Sequence, residues 1–250
     1  MKLFLAGLLL TLSFLGRAIA SQSPSQPIDI IFDIDWTTFY TINPTDPNQA
    51  DSNIIWVEGK AYRPTEHLGE VLESLLQHPE VRVSFFSGGE RSRNEALLKA
   101  FRLPSGRSAF DVSYRVFSKE DLSVVSTDAT MPFSKRYKKS LEGLLPNATP
   151  ERAVLIDDQP EFAKAPWVGV SSLGRFNFQK NFDASKIPMS FFPENREQWM
   201  AEKDKALMWK TLLEEAISSS EKSETSFAQI VSSVWSAKSQ NALCKNLFSF

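Results

Sequence analysis

The sequence contains few residues of the kinds that crosslink a chain or bind soft metals. Cys244 is the only cysteine among 250 residues, so a disulfide within the chain is impossible. His67 and His78 are the only histidines, which argues against a zinc enzyme and against catalysis that depends on histidine. Stability must therefore come from a buried core.

The N-terminus carries an apolar run that is short for a membrane span. Lys2 is followed by a mostly apolar run from Leu3 to Leu15 and then by Ala18-Ile-Ala20. A positive start, a short apolar region and a small-residue end are typical of a secretory signal peptide. We expect residues 1–20 to be that peptide and residues 21–27 a polar linker. The mature protein is then periplasmic or secreted, without stable membrane insertion.

Charge of one sign is not in large excess. Removal of residues 1–20 takes Lys2 and Arg17 from 28 basic residues, which leaves 26 against 30 acidic residues and a net charge of −4. This balance predicts no binding of nucleic acid and no strong adsorption to a membrane. The mature length of about 230 residues suits one sizeable α/β domain with an appendage.

Apolar strands alternate with helical patterns through most of the chain. This alternation predicts an α/β protein with a mainly parallel central sheet that is covered on both faces, a three-layer α/β/α arrangement. The predicted strands end at Asp33, Phe86 and Asp157 or lie over 112–117 and 167–170, and the predicted helices lie over 65–76 with Thr65 as N-cap, 90–101 and 134–145.

Two segments depart from that alternation. Residues 54–62 have the pattern of a small hairpin insert. Two helical patterns near the end form a C-terminal extension over 194–250, which follows a main domain over 28–193. We expect the extension to pack against the α/β body, and binding of a partner protein is the alternative.

Two of the apolar strands end in paired acids. Asp33 and Asp35 follow the first strand, and Asp157 and Asp158 end a later one. Residues i and i+2 of a strand point to the same face, so Asp33 and Asp35 can meet one ligand. Such crowded negative charge is costly unless a cation lies within it.

These acids and Ser87 follow strands whose carboxyl ends meet at one edge of a parallel sheet, where ligands bind. Their chemistry suits metal-assisted phosphoryl transfer. Asp33 is the predicted nucleophile that forms an acyl-phosphate, and Asp35 the group that protonates the leaving oxygen and then activates water. Ser87 and the backbone of Gly88 are predicted to bind phosphate oxygens.

The remaining parts of the predicted site are a cation and a lysine. Asp33, Asp35, Asp157 and Asp158 form a hard, oxygen-rich site for which Mg²⁺ is the expected occupant. A lysine would neutralise the charges that approach one another at the reacting phosphorus. Lys139 is the preferred candidate within a basic cluster, and the alternatives are Lys138 and Lys135.

As a set, these features resemble the haloacid dehalogenase (HAD) superfamily of phosphohydrolases over roughly residues 28–170. The resemblance implies a Rossmann-like fold, Mg²⁺, an aspartyl-phosphate intermediate and a phosphate-binding role for Thr37. The four motifs are matched by Asp33-x-Asp35-x-Thr37, by Ser87, by a lysine that begins the helix before the last strand, and by Asp157-Asp158.

Within that superfamily the sequence is most similar to the small C-terminal-domain (FCP/SCP-like) protein phosphatases, in its hairpin insert and in the Tyr62-Arg63-Pro64 step. This resemblance implies that the metal is held by Asp33, by the backbone carbonyl of Asp35 and by Asp158. Two departures alter the charge and shape of the site. Trp36 stands where an acidic residue is usual, and Asp158 stands where asparagine is usual.

We therefore expect an exported, Mg²⁺-dependent HAD-type phosphatase that hydrolyses a phosphate monoester. The sequence has no room for a large lid after the first motif, so the crevice should admit bulky substrates such as phosphoproteins. One alternative is an exported acid phosphatase or nucleotidase that acts on small phosphomonoesters. Others are a non-catalytic binding protein with the same fold and an interaction protein that works through its C-terminal helices.

Overall fold

The computed structural model describes residues 26–173, 175–186 and 191–245. Strands and helices alternate in it as the sequence predicts. The strands are β1 (Ile28–Phe32), β2 (Phe39–Ile42), β3 (Ile55–Val57), β4 (Lys60–Pro64), β5 (Val81–Phe86), β6 (Arg115–Phe117), β7 (Ser123–Val124), β8 (Tyr137–Lys138), β9 (Ala153–Asp157) and β10 (Val168–Ser171). The helices are α1 (Leu68–Leu75), α2 (Arg91–Ala100), α3 (Ala109–Val112), α4 (Phe133–Arg136), α5 (Arg196–Lys203), α6 (Lys205–Ser220) and α7 (Phe227–Lys245).

A five-stranded parallel sheet with the order β10-β9-β1-β5-β6 forms the centre of the protein. Strand β1 is buried along its whole length, and its Ile30 lies between Val83 of β5 and Val154 of β9. After β1 the chain adds β5 and β6 on one side of it and later β9 and β10 on the other, which makes the carboxyl end of β1 a topological switch point. The predicted α/β fold class with a mainly parallel sheet is confirmed.

The side chains of β1 alternate between two hydrophobic clusters, as the period of a strand requires. Ile30 and Phe32 belong to the larger cluster, which also contains residues of α1, α2, α6 and α7. Ile31 faces the opposite cluster, where Leu141 and Phe162 are among its neighbours. Helices therefore cover one face of the sheet, whereas the segments around Leu141 and Phe162 pack on the other.

The C-terminal helices are part of the main core. Trp209 and Leu213 of α6 are buried in the same cluster as β1, and the Trp209 ring lies 5.6 Å from that of Phe32. Helix α7 contributes Val231 and Trp235 to this cluster. The extension therefore packs against the α/β body, and its apolar residues stabilise the sheet that carries the candidate site.

A second, antiparallel sheet with the order β2-β4-β3 forms the predicted hairpin insert. Strands β3 and β4 are joined through Glu58 and Gly59, whose φ angles are 49° and 75°. Positive φ at both central residues is characteristic of a tight hairpin turn. The insert follows β1 directly, so the chain reaches it through the loop that contains Asp33 and Asp35.

The predicted helix over 134–145 is wrong. The helix in this region, α4, has four residues, after which β8 pairs with β7. Residues 141–145 form a turn instead, in which the amide of Leu145 donates to the carbonyl of Leu141. Gly143 has a φ of 74°, which no residue of a right-handed helix adopts.

Two smaller predictions are also corrected. The strand predicted over 112–117 begins at Arg115, because residues to Val112 form the short helix α3 with Ser108 as its N-cap. Thr65 is not the N-cap of α1. Its buried hydroxyl instead donates to the carbonyl of Thr37 at 2.8 Å, and His67 occupies the cap position.

The predicted signal peptide over 1–20 and most of the linker over 21–27 lie outside the residues that the structure describes. Among the helices that it does describe, none combines the length and hydrophobicity needed to cross a membrane. The prediction of export therefore rests on the N-terminal sequence pattern.

Substitution of Gly169 by alanine should destabilise the fold. A Cβ atom at this position of β10 would lie 2.1 Å from the carbonyl oxygen of Pro160, which is a backbone atom that cannot rotate away. We expect the free energy of unfolding to fall by at least about 1–3 kcal/mol, the usual cost of overpacking. Chemical denaturation measures it, with Ser171→Ala in the same strand as the control. An unchanged unfolding midpoint for Gly169→Ala would contradict the close approach of Gly169 to the carbonyl oxygen of Pro160.

Candidate active site

Asp33 lies at the carboxyl end of the central strand, where its backbone is fixed on both sides. Its amide donates to the carbonyl of Ile156 at 2.8 Å, and its carbonyl accepts from the hydroxyl of Thr38 at 2.8 Å. The carboxylate is buried and accepts a hydrogen bond from Lys139 Nζ at 2.6 Å. One ionic partner therefore orients this carboxylate within a rigid loop.

Lys139 is the lysine that the structure brings to the acids. Its ammonium, with 2% of the side chain exposed, lies 2.6 Å from Asp33 Oδ1 and 2.6 Å from Asp157 Oδ2. It does not begin a helix, as the resemblance implied, but lies in a bridge with Ala163. Lys138 points elsewhere and donates to the backbone carbonyl of Glu161.

Three carboxylates converge around this lysine. Oxygens of Asp33, Asp157 and Asp158 all lie within 4.8 Å of one another, close enough to hold one cation. Hard oxygen donors in this number suit Mg²⁺, so the residues present fit the predicted metal. Asp158 is oriented by an ion pair with Arg175, and Asp157 accepts from the amide of Gln159 at 2.8 Å.

Burial and mutual repulsion set the electrostatics of this cluster. Burial is the main cause that raises the pKa of Asp33 well above its ordinary value, Lys139 opposes it, and Asp157 adds to it. Burial also raises the pKa of Asp158, against the opposing effect of Arg175. Burial alone would lower the pKa of Lys139, but Asp157 and Asp33 outweigh it and raise that pKa, so the ammonium stays charged. A further cation would relieve the remaining repulsion among the acids.

The space beyond the carboxyl ends of β1, β5 and β9 forms a crevice. Asp35 is separated from the cluster of three carboxylates and lies at the mouth of this crevice. Its carboxylate is 38% exposed and accepts two hydrogen bonds from Arg93, each of 2.7 Å. Ser87 donates to the same carboxylate at 2.8 Å. The carboxylate of Asp35 is thus available to an incoming group, while metal binding through its backbone carbonyl stays a prediction.

Ser87 and its glycines form the predicted loop after β5. Gly89 donates its amide to the hydroxyl of Ser87 at 3.0 Å, and a Cβ atom on Gly89 would lie 1.8 Å from an Arg93 nitrogen. A larger residue at this position would therefore push the Arg93 guanidinium away from Asp35. The hydroxyl of Ser87 must turn away from Asp35 to donate to a phosphate oxygen. Gly88 lies against Phe133, which borders the crevice.

The side chain of Thr37 is buried beneath the site and links two of its loops. Its hydroxyl accepts from the amide of Asp158 at 2.9 Å, donates to Ser172 at 3.3 Å and is fully buried. These bonds tie the loop after β1 to the loop after β9. The hydroxyl is therefore buried and engaged in these two bonds, and the phosphate-binding role of Thr37 stays a prediction.

Comparison with known proteins finds no matching family model and no matching curated protein. The solved structures that are similar to this chain include two of a phosphatase. One is Fcp1, an essential RNA polymerase II CTD phosphatase, at 15% identity and a TM-score of 0.42, with 82% of this chain and 69% of that one covered. The other is a fission yeast RNA polymerase II CTD phosphatase Fcp1 variant bound to beryllium fluoride, at 18% identity and a TM-score of 0.37, with 76% and 56% covered.

Three basic residues near the site were not predicted from the sequence. Arg93 holds Asp35, Arg175 holds Asp158, and Lys205 of α6 donates to the carbonyl of Trp36 at 3.0 Å. For Arg93 a signal exists, because it lies within the first turn of the helix that follows Ser87. The other two come from distant segments, and no local pattern indicates them.

Proposed function

We propose that this protein is a Mg²⁺-dependent phosphomonoesterase that works through an aspartyl-phosphate on Asp33. One observation carries the proposal: a buried lysine lies between Asp33 and Asp157, with Asp158 beside them, while Asp35 stands apart at the mouth of the crevice. This division gives a charge-neutralised nucleophile and a separate carboxyl group for proton transfer, which are the two parts that the reaction needs.

In the first step an oxygen of Asp33 attacks the phosphorus, and the bond from phosphorus to the ester oxygen breaks. Protonated Asp35 gives its proton to the departing alkoxide, so an alcohol leaves. Lys139 stabilises the negative charge that crowds together as the carboxylate meets the phosphoryl group. Mg²⁺, held by Asp33, Asp157 and Asp158, would supply further neutralisation of the phosphoryl oxygens.

In the second step water attacks the phosphorus of the acyl-phosphate, and the bond from phosphorus to Asp33 breaks. Asp35, now ionised, accepts the proton of that water. Inorganic phosphate leaves, and both carboxyl groups return to their starting states. Arg93 directs its two parallel donors to Asp35, which orients that carboxyl group for the proton transfer.

A bulky phosphorylated substrate, such as a phosphoprotein, suits the borders of the crevice. The exposed ring of Phe133 lies beside Gly88, and the ring of Trp36 lies 5.3 Å from that of Phe191. Comparison of kcat/KM for a phosphoserine peptide with that for mononucleotides tests this choice. Equal or better turnover of nucleotides would favour the alternative, an acid phosphatase or nucleotidase, and turnover of neither would favour a binding protein.

Export is a further part of this proposal and is supported by the N-terminal pattern that starts at Lys2. Determination of the N-terminus of the mature protein tests it, and a start near Ser21 is expected. An intact N-terminus on protein from the cell interior would contradict it. A partner that binds the C-terminal helices is less well supported, because α6 and α7 contribute to the core.

Mg²⁺ should stabilise the protein as well as activate it. At about 100 times Kd a ligand adds about 2.7 kcal/mol to the free energy of unfolding. We expect EDTA to abolish this gain together with the activity, and Asp158→Asn to weaken Mg²⁺ binding because it removes one negative charge from the cluster. Thermal unfolding across a Mg²⁺ titration measures the effect, with Glu161→Gln as the control for a nearby exposed acid. Full activity in EDTA would refute the metal requirement.

A further inference from the structure

Lys205 is a fully buried cation in the C-terminal extension. It is the first residue of α6, and none of its surface is exposed. Its ammonium lies 2.5 Å from Glu202 Oε1 and 3.0 Å from the carbonyl oxygen of Trp36. A residue of the extension thus contacts the loop between Asp33 and Thr37 directly, across 169 positions of sequence.

The lysine belongs to a small buried network. Tyr40 of β2 donates its hydroxyl to the same oxygen of Glu202 at 2.5 Å, and the Lys205 ammonium lies 4.8 Å from the Tyr40 ring. Burial of such a pair costs desolvation, so replacement by apolar residues of similar volume is often neutral for stability. Stability alone therefore does not explain why the pair is buried. Its contact with Trp36 suggests a functional role instead.

Trp36 has a backbone conformation that a bulky residue rarely adopts. Its φ is 66°, in the left-handed region, and its amide donates to the carbonyl of Phe39 at 2.9 Å. Such conformations persist when surrounding contacts hold them. Trp36 lies between Asp35 and Thr37. The orientation of its peptide groups therefore affects the direction in which the side chain of Asp35 points.

We propose that Lys205 is a positioning residue of the phosphatase reaction. By holding the carbonyl of Trp36, its ammonium fixes the loop that carries Asp35, and the C-terminal extension thereby contributes to proton transfer. This inference rests on the function proposed above, since it assigns Asp35 to protonation of the leaving oxygen. It predicts that loss of the contact slows hydrolysis most for those substrates whose leaving group most needs that proton.

The test removes the ion pair as a unit. The double variant Glu202→Gln/Lys205→Met keeps the site neutral, and Lys210→Met/Glu214→Gln makes the same changes to an ion pair on the outer part of α6. We expect kcat for a phosphoserine peptide to fall at least about 30-fold, but kcat for para-nitrophenyl phosphate, whose leaving group needs little protonation, to fall less than about threefold. The control should stay within about twofold for both esters.

Hydrogen exchange gives a readout that does not depend on turnover. Amides in peptides covering residues 33–39 should exchange faster in the Glu202→Gln/Lys205→Met variant than in the wild type, and amides of the sheet should not. If this variant does not fold, Tyr40→Phe removes one hydrogen bond of the network with little change in shape. It should show the same selective loss at smaller size, about three- to tenfold in kcat for the peptide.

The outcomes separate the two proposals. Equal losses for both esters, or unchanged exchange over 33–39, would overturn the positioning role while leaving the phosphatase intact. If the wild type hydrolyses neither ester, the proposed function fails. Faster hydrogen exchange over residues 33–39 in the variant would then still show that Lys205 stabilises this loop. Unchanged exchange would refute that contact as well.

Discussion

Replacement of Asp33 by asparagine should lower kcat by at least about 1,000-fold, as expected for removal of a nucleophile. An amide oxygen can still accept a hydrogen bond from Lys139, but it cannot form the acyl-phosphate. The pocket keeps its shape, because the two side chains have nearly the same volume. Steady-state hydrolysis of para-nitrophenyl phosphate with Mg²⁺ measures the loss.

Asp46→Asn is the matched control for this prediction. Asp46 accepts a hydrogen bond from the amide of Asn48 in a turn of the insert, and an asparagine oxygen can accept the same bond. This variant should retain full activity. If Asp33→Asn kept more than about a tenth of the wild-type kcat, another group would have to be the nucleophile.

Replacement of Lys139 by methionine should affect both stability and turnover. It leaves Asp33 and Asp157 buried without their shared counter-charge, and removal of one partner from a buried ion pair costs about 3–5 kcal/mol. The loss of electrostatic stabilisation should also lower kcat by about 100- to 1,000-fold. Urea denaturation and steady-state kinetics measure the two effects.

Lys138→Met provides the control in the adjacent position. Lys138 is partly exposed and donates to a backbone carbonyl, so its loss should change the free energy of unfolding by less than about 1 kcal/mol. Mg²⁺ should partly restore the stability of Lys139→Met, because a cation among the acids replaces the missing charge. Equal effects of the two substitutions would contradict the bridging position of Lys139.

The parts of the site that local sequence could predict are those that follow strands. Asp33, Ser87 and Asp157 each come after an apolar run, and parallel strands bring their carboxyl ends to one edge. The separate environments of Asp33 and Asp35 could not be predicted this way. Spacing places both on one face, but the chain turns after Asp33, and Arg93 then holds Asp35 away from the cluster.

Contacts between distant segments account for most of what the sequence did not indicate. The leucines near Leu141 repeat at helical spacing, but Lys139 has to reach the acids from an extended backbone, and the positive φ of Gly143 ends helical geometry. The contact of Lys205 with Trp36 likewise depends on how α6 packs on the sheet. Periodicity predicts which face of α6 is apolar, but not which backbone group its lysine meets.

The most direct measurement is to locate the phosphoryl group during turnover. Enzyme mixed with substrate and Mg²⁺, quenched in acid within one turnover and mapped by mass spectrometry, should carry one phosphoryl group on Asp33. The label should be lost with hydroxylamine, as an acyl-phosphate is, and should be absent from Asp33→Asn. A phosphoryl group on another residue, or rapid hydrolysis with no labelled protein, would contradict the account.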